Sequence, residues 1–146
     1  MKNAGRDPET LLPLTPAVFH ILLALADSER HGYGIMQEVA LRTDGKLRMG
    51  PGTLYGSIKR MLADGLIMES GERPDPALDD ERRRYYRLTD FGQRVAQAEA
   101  QRLLQLLRVA HSKRLLPEQD MSGGGWERML SGTQWSQHSV AERGVS

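Results

Sequence analysis

The chain has 146 residues, 39% of them apolar, a net charge of +1 and no cysteine. That apolar content suits one ordinary domain with extensions, and the absence of cysteine removes disulfides, thiol nucleophiles, thiol redox sensing and cysteine-ligated zinc or iron–sulfur sites. A near-neutral molecule is not a polycation that coats any nucleic acid.

The opening MKNAGRDPETLLPL is polar, without a hydrophobic signal segment, so residues 1–13 are expected to be a flexible extension of a cytoplasmic protein. The longest apolar run, Ile21 to Ala26, falls far short of the roughly 18 residues of a membrane span, and no membrane partner is expected. Thr15 as N-cap and Pro16 at the first helical position start a helix whose Val18, Ile21, Leu22 and Leu25 form one core stripe. A second helix begins near Gly32 or Tyr33. It presents Ile35, Met36 and Val39 inward until Thr43-Asp44-Gly45 breaks it, the brace of a helix-turn-helix. Lys46 to Pro51 is a connection.

The third helix, from Pro51, places Leu54, Ile58, Met61 and Leu62 on one apolar stripe and ends at Gly65, a C′ residue. The opposite face carries Gly52, Gly56, Lys59, Arg60 and Ala63, flanked by Thr53 and Tyr55. It is small and cationic: the backbone can come close to another surface, and the long donors suit phosphates or guanine edges. Taken alone, a solvated surface helix accounts for the same residues equally well.

The continuation separates the two readings. Leu66 and Ile67 begin a strand, GERPDPALDDE forms an acidic loop, and RRRYYRLT (Arg82 to Thr89) returns as a second strand. Tyr86 and Leu88 should point inward, Arg83, Tyr85 and Arg87 outward, with Arg82 and Arg84 near the hairpin tip. A helix followed by a cationic two-stranded hairpin is a winged helix-turn-helix, in which the helix enters the major groove and the wing grips the adjacent backbone. Charge is segregated accordingly. Arg42 to Arg60 holds five basic residues and one acid, Arg82 to Arg87 four basic residues and none. The carboxylates of Asp75, Asp79, Asp80 and Glu81 would repel phosphates, so the loop tip should project away from a duplex and keep the hairpin edge soluble.

Thr89 and Asp90 start a fourth helix expected to run to Leu116, before Pro117. Ala96, Ala100, Leu103, Leu107 and Ala110 lie on one stripe, broadened by Val95, Leu104 and Leu106. About 27 residues extend about 40 Å, too far to pack wholly on a small winged-helix core. A second copy of the helix is the economical partner, giving a two-fold dimer whose recognition helices meet major-groove faces about 34 to 36 Å apart on a palindromic site; a fold-back lid is the competing arrangement. Residues 117–146, rich in Gly, Ser and Gln, are expected to be a flexible tail, in which Trp126, Met129, Leu130 and Trp135 are either isolated aromatics and aliphatics or a docking turn. The organisation expected is thus an extension (1–13), a winged helix-turn-helix (14–89), a dimerisation helix (90–116) and a tail, mainly α with a small β-hairpin.

Catalysis finds no footing. His20, His31, His111 and His138 are scattered, no H-x-x-x-H pair or G-x-S-x-G elbow occurs, and Gly123 to Gly125 precede no phosphate cradle. No enzyme activity, cofactor or metal is expected.

In order and spacing, HGYGI (His31 to Ile35), GTLYGSIKRML with DGLI (Gly52 to Ile67) and RRYYRLTDFG (Arg83 to Gly92) resemble the PadR family of bacterial transcriptional regulators. The similarity covers roughly Leu14 to Leu116. It implies a dimeric winged-helix repressor with Tyr55, Lys59 and their neighbours on the recognition helix, Tyr33 on the supporting helix, and wing arginines on DNA. Gly56 departs from the family, which usually shows proline after the tyrosine. Some PadR-like proteins bind flat aromatic ligands between the dimerisation helices; here that helix has only Phe91, at its start, and any small-molecule effector is left unidentified.

The resulting expectation is a sequence-specific DNA-binding regulator, a homodimeric repressor on a palindromic double-stranded operator, relieved by an unknown effector. Its DNA-binding residues would be Tyr33, Arg48, Gly52, Thr53, Tyr55, Gly56, Lys59, Arg60, Arg82, Arg83, Arg84, Tyr85 and Arg87. Its seam would be Ala96, Ala100, Leu103, Leu104, Leu107 and Ala110. The alternative is a winged-helix protein-interaction module without specific DNA binding.

Overall fold

The computed structural model describes residues 5–74 and 82–117. A 3-10 turn, Pro8–Leu11, precedes α1 (Pro16–Leu25), β1 (Arg30–His31), α2 (Gly32–Arg42), α3 (Pro51–Ala63), β2 (Ile67–Pro74), β3 (Arg82–Leu88) and α4 (Asp90–Ser112). The chain divides into two units after Gln101, each treated separately below.

In the first unit the expected stripes make the core. Ile21, Leu22 and Leu25 of α1, Ile35 and Val39 of α2, and Leu54, Ile58 and Met61 of α3 are buried in one cluster with Leu66, Tyr86, Phe91 and Val95. Burying each such aliphatic side chain contributes roughly 1.5 to 3 kcal/mol. The caps are local chemistry. The Val18 N–H donates to the Thr15 hydroxyl, starting α1 as expected, and Gly65, at φ 75°, closes α3 while the Leu66 N–H donates to the Met61 carbonyl at 2.9 Å. Asp44 plays the same part after α2 at φ 53°.

Four features depart from the sequence reading. The sheet has three strands, in the order β1-β3-β2, because Arg30 and His31 pair with Tyr86 and Tyr85. β2 continues through Gly71 to Pro74, so part of the expected acidic loop is strand. A register shift between Glu69 and Gly71 inserts a bulge at Ser70.

Third, the part of 1–13 that is described is docked rather than loose. Leu11, Leu12 and Leu14 pack against the core, the Arg6 guanidinium donates to the Asp64 carbonyl at 3.1 Å and lies 5.2 Å from the Phe91 ring centroid. The Leu14 N–H donates to the Glu99 carboxylate at 2.8 Å.

Fourth, α4 ends at Ser112, about a turn before Pro117 demands it. Arg114 adopts φ 62°, and the Leu115 and Arg114 N–H groups donate back to the Ala110 and His111 carbonyls at 2.9 and 3.0 Å. This is the 6→1 and 5→2 pattern that stops a helix. In the second unit, Leu103 and Leu104 are half-buried, while Leu106, Leu107 and Val109 are exposed. Among the described residues no helix is long and apolar enough to cross a membrane. The acidic tip 75–81 and the tail residues Trp126, Met129, Leu130 and Trp135 lie outside the described residues.

Candidate nucleic-acid interface

α3 turns its stripe inward, with Leu54 and Met61 fully buried, and its other face outward: Gly52, Thr53, Tyr55, Gly56, Lys59, Arg60 and Ala63 are all exposed. A Cβ placed on Gly52 or Gly56 would meet nothing within 4 Å, so the face is open along its length. Its two flanks look at different neighbours. Tyr55 and Arg60 are about 140° apart around the helix at 100° per residue. Tyr55 leans toward α2, where a Cβ on Gly32 would stand 2.5 Å from its hydroxyl. Arg60 instead edges a cavity of about 230 Å³ with Leu11, Leu14, Val18, Met61 and Asp64, on the side of the N-terminal turn.

The segment His31-Gly32-Tyr33-Gly34 is where helix and wing meet. The Gly34 N–H donates to His31 Nδ1 at 2.9 Å, so His31 caps α2. The His31 ring also meets Tyr85 edge-on, centroids 5.2 Å apart at 78°. Gly32 is buried and has room for no side chain beneath Tyr55. Tyr33, 48% exposed, lies under the Arg83 guanidinium, whose carbon is 5.2 Å from the ring centroid.

Along β3 the alternation holds at its end, where Tyr86 is buried at 5% exposure, Leu88 half-buried and Arg87 exposed, but Arg83 and Tyr85, expected outward, are half-buried against the start of α2, and Arg84 is exposed. Burial chiefly, then the Glu69 carboxylate and the nearby Tyr55 phenol, push the Tyr86 hydroxyl's pKa above the ordinary tyrosine value.

The wing arginines are not equivalent. Arg84 sits between Glu69 and Glu72, 3.6 Å from each carboxylate, whereas Arg87 has no carboxylate partner among the described residues. The bulge explains the sorting. Without the extra residue Gly71 would oppose Arg84; with it Glu72 does, and Arg73 opposes Arg83. Arg48 is exposed and folds over the turn after α2, its guanidinium 3.4 Å from where a Gly45 Cβ would be. The Arg82 side chain lies outside the described residues.

The structure thus gathers Tyr33, Tyr55, Arg83 and Tyr85 around the start of α2, keeps Gly52, Gly56 and Lys59 exposed beside them, and sets Arg60 and Arg84 among other neighbours. Of the seam residues in the first unit, Ala96 is packed against the core and Ala100 is exposed. In the second unit Leu103, Leu104 and Ala110 are half-buried and Leu107 is 42% exposed. Two further residues, Met49 and Glu99, were also missed by the sequence reading. Met49 is buried inside what reads as a connection. Glu99, 2% exposed, had a signal available, since it stands one turn beyond Val95 on the buried stripe of α4. Among the described residues no cluster of His, Asp or Glu could hold a metal ion.

Known proteins share this fold. The model of the transcriptional regulator PadR-like family matches residues 21–98. A transcriptional regulator of Mycobacterium tuberculosis, Rv3488, is 41% identical over 88 residues, 60% of this chain and 75% of that protein. A 37.1 kDa protein in transposon Tn4556 of Streptomyces fradiae is 34% identical over 86 residues, 59% of this chain but 22% of its own length. Among solved structures, a PadR family regulator of Clostridium difficile superposes with a TM-score of 0.56 at 23% identity, over 67% of this chain and 97% of that one. A PadR-like regulator of Bacillus cereus gives 0.57 at 18% identity, over 68% and 92%. PadR-family proteins are transcriptional regulators rather than enzymes, and with more than half of its length matched by the family model, this chain belongs to the PadR-like family of transcriptional regulators.

Proposed function

We propose that the protein is a homodimeric repressor that reads a palindromic operator in bacterial cytoplasm, with α3 in the major groove, the β2–β3 wing on the adjacent backbone, and an unidentified small molecule relieving repression. The observation that carries this reading is the exposed, small and cationic face of α3, open at Gly52 and Gly56 and lined by Lys59, beside a wing that presents Arg83 and Arg87. Small residues allow close approach, and the cations answer phosphate charge. Arg84 contributes less than its neighbours, because two carboxylates already face it. The apolar residues of the second unit, Leu103, Leu104, Leu106, Leu107 and Val109, support a seam with a second copy.

Recovery of bound fragments from the host genome identifies the operator and tests the reading. Salt titration on that operator should give a log-log slope near −5 if about six phosphates are contacted; a flat response supports a protein-interaction module instead. Leu103→Asp combined with Leu107→Asp should convert the dimer to monomer in sedimentation by placing charge in the seam. A double variant that still sediments as a dimer would show that the seam lies elsewhere.

A further inference from the structure

We propose that Tyr33 is a positioning residue for the wing: its ring, on the first turn of α2, holds the Arg83 guanidinium in place before DNA arrives. This rests on the DNA-binding reading above and extends it, because it makes the grip of the wing depend on α2. The guanidinium carbon lies 5.2 Å from the Tyr33 centroid, inside the roughly 6 Å range in which the ring quadrupole attracts a cation. The ring attracts the cation as a whole and takes up no specific N–H donor, so an arginine held this way can still present donors to a phosphate.

The contact belongs to a larger linkage. β1 ties the backbone of β3 to the residues just before α2, through Arg30 with Tyr86 and His31 with Tyr85, and the His31 ring packs edge-on against Tyr85. The base of β3 is therefore anchored to the α2 N-terminus, and Tyr33 carries the anchorage from backbone to the cation. The bulge at Ser70 sends Glu72 opposite Arg84 and sets Arg73 opposite Arg83 in the strand register. A long arginine loses rotamer freedom when it binds a phosphate, and one already held by a ring loses less.

A double-mutant cycle tests the role on a duplex recovered from host genomic fragments, at one fixed salt concentration. Tyr33→Ala should weaken binding about two- to fivefold, the span of an exposed cation–π contact, and Tyr33→Phe should bind as the wild type does. Arg83→Ala should weaken binding at least as much, and adding Tyr33→Ala to it should change nothing further. Losses that multiply in the double variant, or a Tyr33→Phe variant as weak as Tyr33→Ala, would overturn the proposal. A second readout needs no DNA. The Arg83 Nε–H resonance should be shifted by the ring in the wild type and in Tyr33→Phe, and lose that shift in Tyr33→Ala. An unshifted resonance in the wild type overturns the clamp even if DNA binds. Failure of the wild type to retain any duplex at low salt overturns the DNA reading, a result distinct from failure of the clamp because the ring shift is read without DNA.

Discussion

A Cβ on Gly92 would stand 1.9 Å from the Leu66 carbonyl oxygen, whereas one on Gly56 would meet nothing within 4 Å. The two glycines mark the inner and outer sides of the same winged-helix unit. At Gly92 the missing side chain lets α4 sit directly on the start of β2, where the Thr89 hydroxyl donates to the Gly65 carbonyl, the Thr89 N–H to the Leu66 carbonyl at 3.1 Å, and the Gly92 N–H back to the Thr89 hydroxyl at 2.9 Å. At Gly56 the missing side chain packs against nothing and keeps a surface open. One absence is spent on close packing inside the chain; the other leaves room for something outside it.

The contrast implies a graded series of effects. Gly92→Ala should be the most damaging, since backbone rather than a side-chain tip must yield; a loss of about 3 kcal/mol or more follows from overpacking, read as a fall in melting temperature of roughly 10 °C. An unchanged melting temperature would show that α4 can move off β2 freely. Next come the wing arginines, read on whatever duplex is recovered from the host genome. Arg87→Ala should flatten the salt slope by about one unit for its lost phosphate contact, and Arg84→Ala by clearly less, because Glu69 and Glu72 already offset its charge. Equal effects would mean that the Arg84 ion pairs open on binding.

Gly56→Ala should act in the opposite direction to Gly92→Ala. It should stabilise the free protein by about 0.5 to 1 kcal/mol, the helical gain of alanine over glycine, while weakening operator binding if the α3 backbone approaches the groove floor. A variant both more stable and equally tight would place Gly56 away from the duplex. Gly32→Ala should leave the fold intact but lift the Tyr55 ring, because the obstructing atoms are the far end of a flexible side chain. Altered ring-proton shifts of Tyr55 with an almost unchanged melting temperature are the expected signature.

The smallest effect is on pH. The raised pKa of Tyr86 means that above the ordinary tyrosine value, about 10, the unfolded chain releases a proton that the folded chain retains. Stability should therefore be full below that pH and decline as pH rises through the higher folded value. Tyr86→Phe should reduce this alkaline decline, followed by denaturation at a series of pH values.

Much of the fold could be read without coordinates because its signals are periodic. The stripes of α1 and α3, the Thr15 cap and the Gly65 C′ position each depend on residues within a few positions of one another, and Tyr86 points inward as strict alternation requires. What could not be read depends on distant partners. β1 is two residues long, shows no period, and exists because β3 offers it Tyr85 and Tyr86. Leu11, Leu12 and Leu14 lie among prolines and polar residues, so they read as an extension, yet they find the core and a buried Glu99 far along the chain. Arg83, Arg84 and Arg87 are alike in sequence, and all three read as phosphate contacts. A bulge at Ser70 then gives Arg84 two carboxylates across the strand pair, while Tyr33 receives Arg83.

The amino-acid order was sufficient for the four helices and the wing hairpin, the family resemblance and the cationic character of the α3 surface, since apolar spacing, caps and charge type are properties of neighbours along the chain. Which arginines remain available, which tyrosine supports which cation, and how the N-terminal turn closes over the core were settled only by folding. Those outcomes follow from strand register and from contacts between residues far apart in sequence, where a shift of one position exchanges every partner.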